Sequence, residues 1–323
     1  MAVPGRVAYD LGALVSHLAV PREEQGIADS ESSRARVASL AVMPGLFVVL
    51  WSSGFISAKY GLPYAPPLSC LAIRFWLAAG LLALVAWGGG ARWPRGRGEL
   101  GHLAIAGLLV HGVYLGGVFA SISHGVGAGA SALIVGFQPP LTAALAGPFL
   151  GERVAPRAWA GLGLGFAGVV LVVANKLALG LGTPLGMALS GIGLAGITAG
   201  TLYQKRFCGG MDIRSGGVVQ FVAAGVLMTV LAAGVEDRRI DWTPPFVFAL
   251  AWMVLVMSLA AFTILYQLIR RGEAYRVSAL FYLVPATTAV MSYAVFDEHL
   301  APTALLGMVL VAVAAALVNA RSR

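Results

Sequence analysis

Ten runs of apolar residues, each about as long as a bilayer is thick, decide what this chain can fold into. They lie at 40–58, 68–87, 100–122, 126–149, 158–175, 183–204, 215–235, 245–269, 275–296 and 302–320. A helix rises about 1.5 Å per residue, so roughly 20 residues cross the hydrocarbon core. Backbone groups in lipid must be bonded within the chain, and the expectation is therefore an all-α integral membrane protein with ten transmembrane helices. Turn-forming junctions mark the ends of the runs, among them Pro63 to Pro67, Gly88 to Gly90, Gly209-Gly210 and Pro244-Pro245. A soluble fold is excluded, because 59% of the residues are hydrophobic and 11% charged, against about 25% charged in globular chains.

The 42 glycines have no three-residue period and sit inside the apolar runs, which suits close helix packing in lipid rather than collagen. The net charge of +8 comes from Lys and Arg scattered between runs, with no basic stripe for nucleic acid. Fifteen basic residues fall on one set of alternate connections: Arg34, Arg36, Arg92, Arg95, Arg97, Arg153, Arg157, Lys205, Arg206, Arg214, Arg270, Arg271, Arg276, Arg321 and Arg323. Only Lys59, Lys176, Arg238 and Arg239 occupy the other set. The bias predicts a cell (inner) membrane protein with both termini in the cytoplasm. Cys70 and Cys208 are expected as free thiols. Residues 1–39 include an apolar stretch, Leu11 to Val20, behind Arg6; cleavage there would leave the new terminus outside, against Arg34 and Arg36, so the segment reads as a disordered cytoplasmic tail.

Compared with itself at an offset of 146, the chain pairs Gly45 with Gly191, Gly54 with Gly200, Lys59 with Lys205, Pro139 with Pro285, Glu152 with Glu298, Pro156 with Pro302 and Gly161 with Gly307. Ser131-Ala132-Leu133 matches Ser278-Ala279-Leu280 at 147. The unit is five helices, at 40–176 and 183–320. Five is odd, so the second copy enters the membrane from the opposite side and the two five-helix repeats are inverted, the architecture from which alternating access follows.

Each copy joins its last two helices by Glu, three residues, Pro, four residues, Gly: Glu152 to Pro156 to Gly161, and Glu298 to Pro302 to Gly307. With the opening segment Trp51-Ser52-Ser53-Gly54-Phe55-Ile56-Ser57-Ala58-Lys59, the chain over about 40–320 resembles the EamA-type family of the drug/metabolite transporter superfamily. The resemblance implies a carrier of small metabolites, often amino acids or related carboxylate-bearing compounds and often an exporter, with its substrate cavity between the halves.

Two glycine patterns, Gly163-x-Gly165-x-x-Gly168 and Gly191-x-Gly193-x-x-Gly196, match the dinucleotide fingerprint but lie within membrane-length runs, with neither strand nor following acid. Helix packing through Gly161-x-x-x-Gly165 and Gly196-x-x-x-Gly200 is the expectation, and no cofactor is implied. Arg74 stands about six residues into the second run, roughly 9 Å below its outer end. A charge there costs on the order of 3 kcal/mol even on insertion scales, and no Asp or Glu inside another run can pair with it. It either snorkels to the interface or clamps a substrate carboxylate; its repeat mate is Gln220. The remaining candidates for a polar, substrate-binding lining are Trp51, His111, Tyr114, Gln138 before Pro139-Pro140, Tyr203, Gln204, Gln220, Tyr266, Gln267 and Tyr282. A break at the proline pair would free carbonyls at membrane depth, where they need a watered cavity. Lys59 and Lys205, with Glu152 and Glu298, sit in pairs at opposite faces and are candidates for gating or coupling, against plain anchoring and helix capping.

An intramembrane enzyme has little support, since Gly-x-Ser-Gly, a paired-Asp magnesium motif and His-Glu-x-x-His are all missing from the sequence. A channel usually rings one axis with equal elements, unlike an inverted two-fold. The expected partners are a small-molecule substrate and the lipid bilayer, with no nucleic acid and no metal; a homodimer is left open.

Overall fold

The computed structural model describes residues 42–58, 60–126, 128–177, 182–237, 239–296 and 301–319. The tail at 1–39, Lys59 and Glu298, on which expectations rested, lie outside them. Among the described residues all regular structure is helical, with ten helices long and apolar enough to cross a membrane: α1 (Val42–Tyr64), α2 (Pro67–Gly88), α3 (Arg97–Ser123), α4 (Leu133–Leu150), α5 (Pro156–Ala174), α6 (Pro184–Phe207), α7 (Ile213–Val235), α8 (Pro244–Arg271), α9 (Ala274–Val295) and α10 (Pro302–Asn319). The body considered below begins at Gly45.

Local sequence sets the helix starts. Five of the ten helices open on a proline, where the missing N–H would have had no intrahelical partner. Thr183 caps α6 by accepting from Gly186 N at 3.1 Å, and Asp212 caps α7 by accepting from Arg214 N at 3.0 Å. Gly151 ends α4 with φ +71°, a left-handed conformation that glycine takes at little cost.

The helix ends gather at two opposite ends of the bundle, as ten alternating spans require. At the basic end, Asp212 accepts from Arg92 N at 3.2 Å, Ser215 Oγ donates to Arg92 O at 2.5 Å, and Arg214 Nη1 donates to Gly89 O at 2.9 Å. Arg214 holds the Asp212 carboxyl below the usual carboxylate range. That stabilisation is present at neutral pH and is lost only as pH falls through the lowered value. At the other end, Glu236 after α7 accepts from Leu68 N and Ser69 N, both at 2.8 Å, and from Ser69 Oγ at 2.7 Å, capping α2 across the repeat boundary. Asp241 N donates to Tyr64 O at 2.9 Å, and Thr183 Oγ1 to His124 O at 2.6 Å, at the same end.

The most extensive packing runs between the two repeats, with α5 on α10, α2 on α7 and α3 on α6. Glycine makes these approaches possible, and the seams show the inverted symmetry directly. Gly161 faces Ala314, while Gly168 faces Gly307; at the offset of 146 the two contacts are images of one another. Gly200 of α6 lies against Leu109 and Val110 of α3, and its mate Gly54 of α1 against Met257 of α8. The glycines of the two apparent fingerprints are thus helix-packing residues wherever they touch a neighbour: Gly165 meets Tyr282, Gly193 and Gly196 meet Tyr114, and Gly163 and Gly191 meet nothing.

A methyl at position 168 would lie 2.8–3.0 Å from Val311 and the Gly307 carbonyl. Gly168→Ala is therefore expected to destabilise by about 1–3 kcal/mol, the usual cost of overpacking. Gly163→Ala enters open space and should be neutral or stabilising by up to about 1 kcal/mol from helix propensity. Thermal unfolding of the two detergent-purified variants checks this, and equal midpoints would overturn it.

Four helices are irregular in the middle of the bundle. α3 and α8 each contain a π-helical stretch, Leu108–Val113 and Met253–Ala261. The offset of 146 superposes 108–113 on 254–259, so both repeats carry the irregularity at the same place. Such stretches concentrate at functional sites. α4 is broken by a turn at 136–137 and α9 by a 3-10 segment, Leu280–Tyr282. The break in α4 precedes the proline pair instead of falling on it. Gln138 and Pro139 open the following segment as first-turn residues, where a missing N–H leaves no bond unmade.

Candidate functional site

The irregular helices meet around two adjoining small cavities between the repeats, the lobes of one candidate site. One lobe, of about 60 Å³, is lined by Arg74, Met253, Met257, Phe119 and Phe262, among others. The second, of about 70 Å³, is lined by Gln138, Ser131, Ile197, Phe281 and Pro285, among others. Trp51, Phe55, Tyr114 and Val118 border both. The second lobe reaches Ile122, next to the last residue of α3, so the cavity lies in the half of the bundle away from the basic end.

Arg74 is buried, 3% exposed, and so does not snorkel. Its Nε donates to Ser258 Oγ at 3.0 Å, and the guanidinium lies 5.8 Å from the Phe75 ring centroid. Ser258 in turn donates to Met253 O at 3.1 Å across the π stretch of α8, which aims the serine oxygen at α2. Among the described residues Arg74 has no acidic partner, and its Nη2 has no hydrogen-bond partner. Gln138, 1% exposed, donates from Nε2 to Ser278 Oγ at 2.9 Å, and its Oε1 likewise has no partner among the described residues.

A polar layer closes the cavity toward the basic end. Tyr266 Oη donates to Gln220 Oε1 at 2.5 Å and lies 2.9 Å from His111 Nε2. Because the hydroxyl proton goes to Gln220, the tautomer assigned to His111 carries its proton on Nε2. Gln220 Nε2 donates to Gln204 Oε1 at 2.9 Å. The His111 ring is fully buried, with centroids 4.4 Å from Phe221 and 4.3 Å from Phe262. Gln220, the repeat mate of Arg74, thus serves inter-helix bonding.

Beyond that layer Glu152 gathers three parts of the second repeat. It accepts from Ala274 N at 3.0 and 2.9 Å, capping α9, and pairs with Lys205 of α6, whose Nζ also donates to Gly272 O at 2.5 Å. The carboxylate therefore caps a helix in the other repeat instead of the one starting at Pro156. Among the described residues this is the place where the Glu-x-x-x-Pro motif can be seen at work.

Of the residues singled out in the sequence, Trp51, Arg74, Tyr114 and Gln138 line the cavity, while His111, Gln220 and Tyr266 form the layer below it. Tyr203 lies elsewhere, its hydroxyl 2.7 Å from His102 Nδ1 near the basic end. Tyr282 donates to Leu162 O at 2.9 Å within the α5–α9 packing. Gln267 is half-buried on α8 and borders neither lobe. Ser258 is not marked by the sequence, because a serine in an apolar run carries no charge pattern to single it out.

The sequence matches the model of the EamA-like transporter family twice, at 40–174 and 184–320. A Bacillus subtilis protein named "Uncharacterized transporter YvbV" is 26% identical over 295 residues, covering 88% of this chain and 92% of that protein. An Escherichia coli protein named "Probable amino-acid metabolite efflux pump" is 26% identical over 282 residues, covering 84% and 91%. A solved crystal structure at 18% identity superposes with a TM-score of 0.75, covering 87% of this chain and 96% of that one, a likeness of fold.

Proposed function

The chain belongs to the EamA-like transporter family, within the drug/metabolite transporter superfamily, and from that premise we propose that it is a secondary carrier exporting small carboxylate-bearing metabolites by alternating access. The observation that carries the substrate class is Arg74, a buried guanidinium on the cavity wall with an unpaired Nη2 and no acid beside it among the described residues. A guanidinium presents parallel donors that match a carboxylate with two hydrogen bonds. Lobes of about 70 and 60 Å³ are far below the 300–1,000 Å³ of drug-sized sites, which favours a small solute. The name of the Escherichia coli relative supports amino-acid metabolites and efflux. Profiling the carboxylates that accumulate outside overexpressing cells, followed by counterflow of the best candidate in proteoliposomes, tests the proposal. Absence of any carboxylate among the accumulated compounds would overturn it.

On this reading the basic end faces the cytoplasm of a cell membrane, the cavity belongs to the outward half, and the Glu152–Lys205 cluster is the closed inner gate. Glu298 and Lys59, at the equivalent sequence positions of the other repeat, take the corresponding outer role on the same reading. Cysteines at the exposed positions 63 and 96, in a background with Cys70 and Cys208 replaced, report the orientation. An impermeant reagent added outside intact cells is expected to label position 63 and spare position 96. Labelling of position 96 from outside would reverse the assignment.

A further inference from the structure

The two lining residues with an unpaired buried polar atom belong to different lobes. Arg74, whose Nη2 is unpaired, lines the lobe between α2 and α8, and Gln138, whose Oε1 is unpaired, lines the lobe between α4 and α9. Both residues are at least 97% buried, and a buried polar group left without a partner is unfavourable. Ser278 holds one end of the Gln138 amide, so whichever way the amide is turned, its other end stays free. Between the two positions the common wall is Trp51, Phe55, Tyr114 and Val118, a surface mostly of rings and methyls. No Asp or Glu occurs among the residues of either lobe, so nothing there pairs with a second, cationic group.

From this spacing of donors and apolar wall we propose that the site recognises its solute at two points: a carboxylate on Arg74 and, across an apolar stretch, an uncharged hydrogen-bonding group such as a hydroxyl on Gln138. The inference rests on the carboxylate reading above and narrows it to elongated carboxylates with a distal polar, uncharged group. Each end of the solute satisfies an atom the protein leaves unpaired, and the middle covers Trp51 and Phe55. A solute carrying only the carboxylate leaves Gln138 unsatisfied, which is how a site built for a hydroxyl discriminates against the analogue that lacks one.

The test uses the full-length protein in nanodiscs and titration calorimetry. The probes are unbranched carboxylates of four to eight carbons, their ω-hydroxylated counterparts, and the ω-alcohols lacking the carboxylate. At the chain length that spans the lobes, the hydroxylated carboxylate is expected to bind about tenfold more tightly than the plain one. Gln138→Met, of similar volume and without the amide, should bring the two to equal affinity, and the wild-type series decides the matter alone if that variant fails to fold. Plain carboxylates binding as well as hydroxylated ones at every length would overturn the two-point proposal while leaving the carboxylate reading standing. Alcohols binding as well as carboxylates would overturn both.

Discussion

Arg74→Gln is expected to insert, fold and lose about 10- to 100-fold in the transport of carboxylates, measured as counterflow at matched membrane abundance. One hydrogen bond between charged groups contributes about 1.5–3 kcal/mol, and each 1.4 kcal/mol is tenfold. Glutamine already stands at the equivalent place in the other repeat, as Gln220, fully buried and hydrogen-bonded, so the fold accommodates it there. Arg74→Lys keeps the charge and loses the fork, and should fall between the wild type and Arg74→Gln. Near-normal counterflow in Arg74→Gln would sink the substrate assignment. A purely structural role predicts another pattern, in which both variants lose thermal stability and the counterflow per folded molecule stays constant.

The second large effect is expected at the basic end. Glu152 ties α9, α6 and the α8–α9 connection together through Ala274, Lys205 and Gly272. Glu152→Gln and Lys205→Met each leave a partly buried group without its counter-charge, a change on the order of 1–3 kcal/mol. That is enough to move a two-state equilibrium by about 5- to 150-fold. Two cysteine reporters read the shift, one at Gln204 in the closing layer and one at Ile122 at the far rim. In either variant, labelling at 204 from the basic side should rise and labelling at 122 should fall. Glu298→Gln, at the equivalent place in the other repeat, should move both reporters the opposite way. Shifts in the same sense for Glu152→Gln and Glu298→Gln would reduce both carboxylates to structural caps.

The inverted five-helix architecture was legible because its signals are local and doubled: Glu152 and Glu298, Pro156 and Pro302, Gly161 and Gly307 recur at one spacing. The seam glycines were legible for the same reason, and in the structure Gly161 and Gly168 make the mirrored contacts that the repeat requires. Arg74 stood out because a charge in an apolar run is costly wherever it goes. Which polar groups share the cavity was harder to read, for a geometrical reason. A regular helix turns about 100° per residue, and every π or 3-10 stretch resets that count for the residues beyond it. Tyr282 ends the 3-10 segment of α9 and faces Leu162 and Gly165 instead of the lobes. Tyr203 precedes the close of α6 and turns to His102. Ser258 reaches Arg74 because the π stretch of α8 turns it there, and neither the serine nor the stretch leaves a mark in the sequence.

The seams between α5 and α10, α2 and α7, and α3 and α6 also bear on how the protein comes into being. Because the tightest packing is between repeats, the first five helices to leave the ribosome are an unfinished surface. Gly161 and Gly168 have no Ala314 or Gly307 to lie against, and α2 lacks the Glu236 cap on its first turn. Until α10 is inserted, the face of α5 that carries those glycines has no helix of the second repeat to pack on. The α5–α10 seam is therefore completed only when α10 is inserted, and a stop ahead of α10 leaves Gly161 and Gly168 without the surface they pack against.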